Sequence, residues 1–331
     1  MSAPPAQTPG RHRRRGKGRD GEQAMVPRAE FRSYYGRPVL KEPVWKVPDV
    51  PGYLFGGGLA GASSVLAGFA QAAGQRELAR AAKVTSAGAI TVSFAALIND
   101  LGRPSRFLNM LRVFKPTSPL NVGSWLLAAY GPISGAAAAS AVTGRLPRAG
   151  AAATVAAAAL GPAIATYTAA LLCDTAVPAW HEAHREMPYL FAASAASAAG
   201  GMGMLAVSPE HADLAVRFAV LGAAAELTAK TILVRRLGEA AEPYRQGRSG
   251  AVMRIAENLT AASLGTALIA RRSRLAAVLS GTALVASSAL TRFGIFEAGM
   301  ASARDPKYTI RPQRERADRA SRVPAEPGGG V

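Results

Sequence analysis

Asp100-Leu-Gly-Arg-Pro-Ser-Arg-Phe-Leu-Asn-Met-Leu-Arg-Val-Phe-Lys-Pro-Thr-Ser-Pro-Leu-Asn-Val-Gly-Ser-Trp125 is a basic, proline-bounded connector between two apolar runs, 81–101 and 121–143. Each run is nearly uncharged over about 20 residues, the length an α-helix needs to cross a ~30 Å hydrocarbon core. A polar connector with its own amphipathic turn, held between two such runs, points to an all-α membrane bundle with something docked on the loop.

The rest of the chain repeats the pattern. Eight runs are expected to span: 51–73, 81–101, 121–143, 149–172, 188–207, 212–234, 251–270 and 275–290. The third and fourth are built mostly of alanine, and their tight turn at 144–148 argues for a helical hairpin inside a bundle. Gly56, Gly57, Gly58, Gly61, Gly131 and Gly135 let helices approach closely where lipid gives little hydrophobic drive for association. The expectation is therefore a polytopic helical bundle of eight transmembrane helices. It divides into a basic tail at 1–48, an eight-helix membrane domain at 49–292 and a basic C-terminal tail at 293–331.

The 331 residues carry a formal charge of +18, yet 49% are apolar, because Arg and Lys crowd the tails and loops. That distribution belongs to a membrane protein, not to a nucleic-acid binder. Arg11, Arg13, Arg14, Arg15, Lys17 and Arg19 lie too far ahead of the first apolar run for an export signal. They read as a cytoplasmic tail near anionic lipid. An even span count puts both termini on one side, and the positive-inside rule places that side in the cytoplasm of the cell's inner or plasma membrane.

One cysteine, Cys173, excludes a disulfide, an iron–sulfur cluster or a thiolate zinc site within the chain. His12, His181, His184 and His211 all fall outside the runs, so a membrane haem has no axial ligands. His181 and His184 are three apart beside Glu182, but no third metal ligand is evident.

The intramembrane polar residues gather on the side of the termini. Tyr53 opens the first run, Asp100 ends the second, Tyr167 and Asp174 close the fourth, Glu226 and Lys230 lie late in the sixth, and Glu257 and Asn258 early in the seventh. Ionisable groups at membrane depth usually face a cavity or one another. Glu226 and Lys230, four apart, can also pair on one helix face, and Asp100 and Asp174 can be helix-end groups satisfied by arginines such as Arg103. A single recess opening toward the termini accounts for all of them together. It suits a quinone: Tyr53 and Tyr167 offer phenol donors to the carbonyl oxygens, and Asp174, His181 or His184 offers a proton acceptor at the aqueous end. A transporter using Glu226, Lys230, Glu257 and the aspartates as a carboxylate relay is the alternative, with the difficulty that the polar chain stops halfway across.

Asp100-Leu-Gly-Arg-Pro, Arg106-Phe, Lys115-Pro-Thr-Ser-Pro and Gly123-Ser-Trp125, taken in this order, resemble the NrfD/PsrC family. Gly57-Gly-Leu-Ala-Gly61, Val177-Pro-Ala-Trp180 and Ser302-Ala-Arg-Asp-Pro306 add to the likeness, which covers roughly 34–316. The resemblance implies a membrane subunit without metal of its own that binds menaquinone or ubiquinone. Such a subunit exchanges electrons with a ferredoxin-like iron–sulfur subunit, itself wired to a molybdopterin catalytic subunit of formate dehydrogenase or polysulfide reductase type. It implies quinone contacts at Tyr53 and Tyr167, with Asp100, Asp174, His181 and Glu226 as further polar candidates. Arg103, Arg106, Arg112 and Lys115 are the expected docking residues, for an acidic partner surface or lipid headgroups. At the position of Tyr53 a histidine can stand in the family, so proton acceptance passes to Asp174 or a nearby histidine. Polysulfide-type members place their partners outside the cytoplasm, whereas the charge rule places this docking face inside.

Overall fold

The structure is a computed structural model that describes residues 40–103 and 105–310, and every regular element among them is helical. The helices are α1 (Asp49–Ala72), α2 (Arg76–Leu101), α3 (Ser105–Met110), α4 (Pro119–Thr143), α5 (Pro147–Cys173), α6 (Pro178–Glu182), α7 (Met187–Ala206), α8 (Asp213–Leu237), α9 (Glu242–Arg245), α10 (Gly247–Ala270) and α11 (Arg274–Arg304). Local chemistry sets their limits. Ser118 caps α4 by accepting from the Asn121 N–H at 3.4 Å, with Pro119 in the first turn where no donor is missed. Gly144, at φ 70°, ends α4 in the left-handed region that favours glycine. At the end of α7 the Arg274 guanidinium donates to the carbonyls of Met204, Leu205 and Val207, satisfying acceptors the helix leaves over.

Six helices, α1, α2, α4, α5, α7 and α11, are long and apolar enough to cross a membrane. The expected sixth and seventh runs form α8 and α10, where Arg217, Glu226 and Lys230, and Arg254 and Glu257, interrupt the apolar sequence. The eighth run goes further than its composition suggests. It was expected to stop at 290, but α11 continues to Arg304, so the boundary set at 293 falls inside a helix. The cause is packing: Ile295, Phe296, Ala298, Gly299, Ser302 and Ala303 are all buried after Arg292. Residues 40–48 are likewise part of the folded body. Of the expected tails, 1–39 and 311–331 lie outside the described residues, as do His12 and the arginines between 11 and 19.

α1 packs on α2 and α5, and α4 on α5 and α2; α7 packs on α8 and α11, and α10 on α11 and α8. Contacts of α1 and α5 with α7, and of α1 with α11, join these neighbourhoods. α1 is accordingly the most enclosed of the six, while α2 and α4 turn most of their apolar length outward. A close crossing joins α1 and α5, where a Cβ on Gly61 or Gly161 would run into the carbonyl oxygen of the other. Chain entry and exit share one end of the molecule: Arg304 Nε donates to Glu42 at 2.7 Å, and Trp45 stacks on Trp180 with ring centroids 5.3 Å apart.

Candidate functional site

Tyr53 sits in the first turns of α1, 4% exposed, and its carbonyl accepts from Ser93 Oγ of α2 at 3.0 Å. Asp100, at the end of α2, accepts from the Lys46 backbone N–H at 3.1 Å, and its neighbour Asn99 donates to Asp49 at 2.7 Å. Two successive residues of α2 therefore hold the strand of chain that enters α1. Tyr167 reaches in from α5 and sets one edge of its ring against Gly123 of α4, where a Cβ would come within 2.6 Å of the ring. Tyr53, Tyr167 and Asp100 are close enough to interact electrostatically. Neither phenol has a hydrogen-bond partner among the described residues, so the two donors and the half-buried carboxylate have capacity to spare.

The other expected members are elsewhere. Asp174 caps the end of α5 and is exposed, about 10 Å beyond Tyr167 along the helix. His181 is also exposed, its Nδ1 3.2 Å from the Cys173 carbonyl, and His184 Nδ1 is 2.9 Å from the His181 carbonyl. Among the described residues no group of His, Cys, Asp and Glu is arranged to hold a metal ion. Asp100, unlike Asp174 and His181, is close enough to Tyr53 to interact with it electrostatically. Its partner is the Lys46 backbone; Arg103, the arginine weighed as its partner, lies exposed on the connector.

Glu226 belongs to a second centre. It is 3% exposed in α8 and accepts from Ser197 at 3.2 Å and Thr291 at 2.9 Å. Arg292 of α11, fully buried, is its charge partner at a distance; Arg292 Nη2 donates to the Phe191 carbonyl at 2.8 Å and its guanidinium lies 3.9 Å from the Phe191 ring centroid. Nε and Nη1 of Arg292 have no partner among the described residues. Sequence reading missed Arg292 because it follows the end assigned to the last apolar run. Lys230 does not pair with Glu226; it bonds Glu257 of α10 at 2.6 Å.

A buried hydroxyl cluster lies in the middle of α1, α2 and α4, deeper along α1 than Tyr53. Tyr130 bonds Ser64 at 2.6 Å and Ser86 at 2.9 Å, Ser86 bonds Ser134 at 2.7 Å, and the Tyr130 hydroxyl lies 2.7 Å from the Ala60 carbonyl. The apolar half expected away from the termini thus carries polar groups at its inner edge. Ser93 stands about 10 Å along α2 from Ser86, with no hydrogen bond between them among the described residues, so the cluster is separate from the tyrosine recess.

The connector residues Arg103, Arg106, Arg112 and Lys115 are all exposed around α3. Asn121 organises that loop: its amide donates to the carbonyls of Met110 at 2.6 Å and Val113 at 2.9 Å and accepts from the Lys115 N–H at 2.6 Å. On the same end of the molecule, residues 42–47, α9 and the end of α11 line an open cavity of about 850 Å³. Glu242 at its rim bonds Lys307 at 3.0 Å and holds that ammonium above its usual range. Burial pushes the Tyr244 phenol up, and its hydroxyl donates to the Ala179 carbonyl at 2.7 Å.

The family model described as Polysulphide reductase, NrfD matches residues 39–213, more than half of the chain. The match contains Tyr53, Asp100, Tyr167 and the connector, and stops at the first residue of α8, short of Glu226 and Arg292. No curated protein matches the chain.

Proposed function

The chain belongs to the NrfD family, and from that membership we propose that this multi-pass membrane protein is the quinone-binding subunit of a redox complex. In this reading all eight long helices span the membrane as two four-helix bundles, α1, α2, α4 and α5 in one, α7, α8, α10 and α11 in the other. The contact pattern of the helices supports that division. The charges of α8 and α10 are compatible with it, because Lys230 and Glu257 neutralise each other.

The observation that carries the functional reading is the pair of unpartnered phenols, Tyr53 and Tyr167, beside Asp100. A menaquinone or ubiquinone, which supplies reversible two-electron chemistry, needs donors at its two carbonyl oxygens and a nearby group to take up protons. Tyr53 and Tyr167 would donate. Asp100 would accept a proton and pass it to the aqueous face from the end of α2, where it is half-buried. Asp174 and His181, exposed on that face, would carry protons onward. Glu226, in its own centre, has no direct contact role in this reading.

Electrons would pass between this site and a ferredoxin-like iron–sulfur subunit joined to a molybdopterin catalytic subunit. Arg103, Arg106, Arg112 and Lys115 would meet the acidic surface of that partner, with the termini on the cytoplasmic side of the inner or plasma membrane. The test is the purified complex carrying Tyr167→Phe. Quinol-linked turnover falls while the subunits still co-purify; unchanged turnover counts against the assignment.

A second reading, an ion-translocating protein, draws on the Ser64–Ser86–Tyr130–Ser134 cluster, which carries polar groups past mid-depth. The break between Ser86 and Ser93 ranks it below the first.

A further inference from the structure

The cleft between α8 and α10 has no part in the reading above. The two helices meet lightly, α8 packing mainly on α7 and α10 mainly on α11. At the end that carries the chain entry and exit, the gap opens into a cavity of about 360 Å³. Its wall holds four cations, Lys230, Arg235, Arg245 and Arg254, against one carboxylate, Glu257. Glu257 is already bonded to Lys230 at 2.6 Å. Arg254 donates to the Arg245 carbonyl at 2.9 Å and Arg245 to the Val234 carbonyl at 3.3 Å, bonds that orient the guanidinium groups without neutralising them. Arg235 has no hydrogen bond to any described residue and is exposed. Three guanidinium charges thus line one hollow, and among the described residues no ion pair joins them to a carboxylate.

The surroundings say what kind of anion fits. The cations sit at the last turns of α8 and the first turns of α10, where helices that cross a bilayer meet the headgroup layer. Immediately adjacent in the two helices, Ile232 and Ile255 are each 52% exposed, and Thr231, Val234 and Tyr244 complete the cavity wall. A soluble anion would satisfy the arginines and leave the apolar flank bare; a phospholipid satisfies both. We propose that the α8–α10 cleft is a binding site for an anionic phospholipid, its phosphate held by Arg235, Arg245 and Arg254 and its acyl chains lying along Ile232 and Ile255. The site rests on the chain being membrane-embedded, and not on what the tyrosine recess holds.

The experiment uses the full chain purified in a neutral detergent, with thermal unfolding followed on adding phosphatidylglycerol, phosphatidylcholine or inorganic phosphate. Phosphatidylglycerol raises the midpoint; phosphatidylcholine and inorganic phosphate do not. Arg235→Gln, which breaks no hydrogen bond, shifts half-saturation by phosphatidylglycerol about fivefold upward, the effect of one interfacial arginine, whereas Arg145→Gln at the opposite end leaves it unchanged. Native mass spectrometry of the unaltered chain, retaining phosphatidylglycerol in preference to phosphatidylcholine, gives a readout independent of any variant. Equal responses to the two lipids, an undiminished response in Arg235→Gln, or a shift reproduced by inorganic phosphate alone would overturn the proposal.

Discussion

The backbone N–H of Lys46 donates to the Asp100 carboxylate at 3.1 Å, fixing a residue that precedes α1 to the end of α2. If Asp100 also takes up protons as proposed, it has two separable duties, one structural and one chemical. Asp100→Asn keeps an acceptor oxygen and is expected to preserve the thermal midpoint while lowering quinol-linked turnover. Asp100→Ala leaves the Lys46 N–H without its partner and is expected to cost about 1–3 kcal/mol of stability as well. Equal thermal midpoints for the two variants would remove the structural duty.

Tyr53 and Tyr167 are expected to act through their hydroxyls alone, since neither hydroxyl is bonded to another described residue. Tyr53→Phe and Tyr167→Phe each weaken quinol-linked turnover about tenfold, the equivalent of one lost hydrogen bond, with no change in unfolding midpoint. Turnover of the purified complex and a melting curve of the same sample check both halves.

The Glu226–Arg292 centre predicts an asymmetry. Arg292→Met strands the buried Glu226 without a cation and is expected to destabilise by about 3–5 kcal/mol. Glu226→Gln keeps a side chain that Ser197 and Thr291 can bond, and it costs less. The double variant is expected to be more stable than Arg292→Met alone, because no uncompensated charge remains. Denaturation of the four proteins in one detergent measures the coupling.

Gly299 is predicted to be intolerant of any side chain. A Cβ there would fall inside the indole of Trp180, which is fully buried, donates to the Ile295 carbonyl at 2.8 Å and stacks on Trp45. Gly299→Ala is expected to cost about 1–3 kcal/mol by overpacking and to alter the tryptophan emission, which reports displacement of the ring directly.

The long helices were legible because apolar runs of membrane length are local. The expected 121–143 and 149–172 runs lie within two residues of α4 and α5, where Ser118, Pro119, Gly144 and Pro147 mark the ends in the sequence itself. Tyr53 and Tyr167 were read to one side of the membrane and, through the family resemblance, to one site; the two lie close enough to interact electrostatically. What escaped is tertiary. Arg292 reads as the end of a span until Glu226, 66 positions earlier, is seen in the same core. Asp100 finds its partner in a backbone N–H, which no side-chain pattern announces. Glu226 looked paired with Lys230 because four residues make one helical turn, but the buried side of α8 faces Ser197 and Thr291, while Lys230 turns to α10.

The contact of Gly61 with Gly161 sets how far apart two helices stand. Tyr53 lies about 12 Å from it along α1 and Tyr167 about 9 Å from it along α5, both on the same side. A side chain at either glycine would meet the carbonyl oxygen of the other, so a methyl added there is a wedge whose effect is expected to reach the two phenols as a wider gap between them.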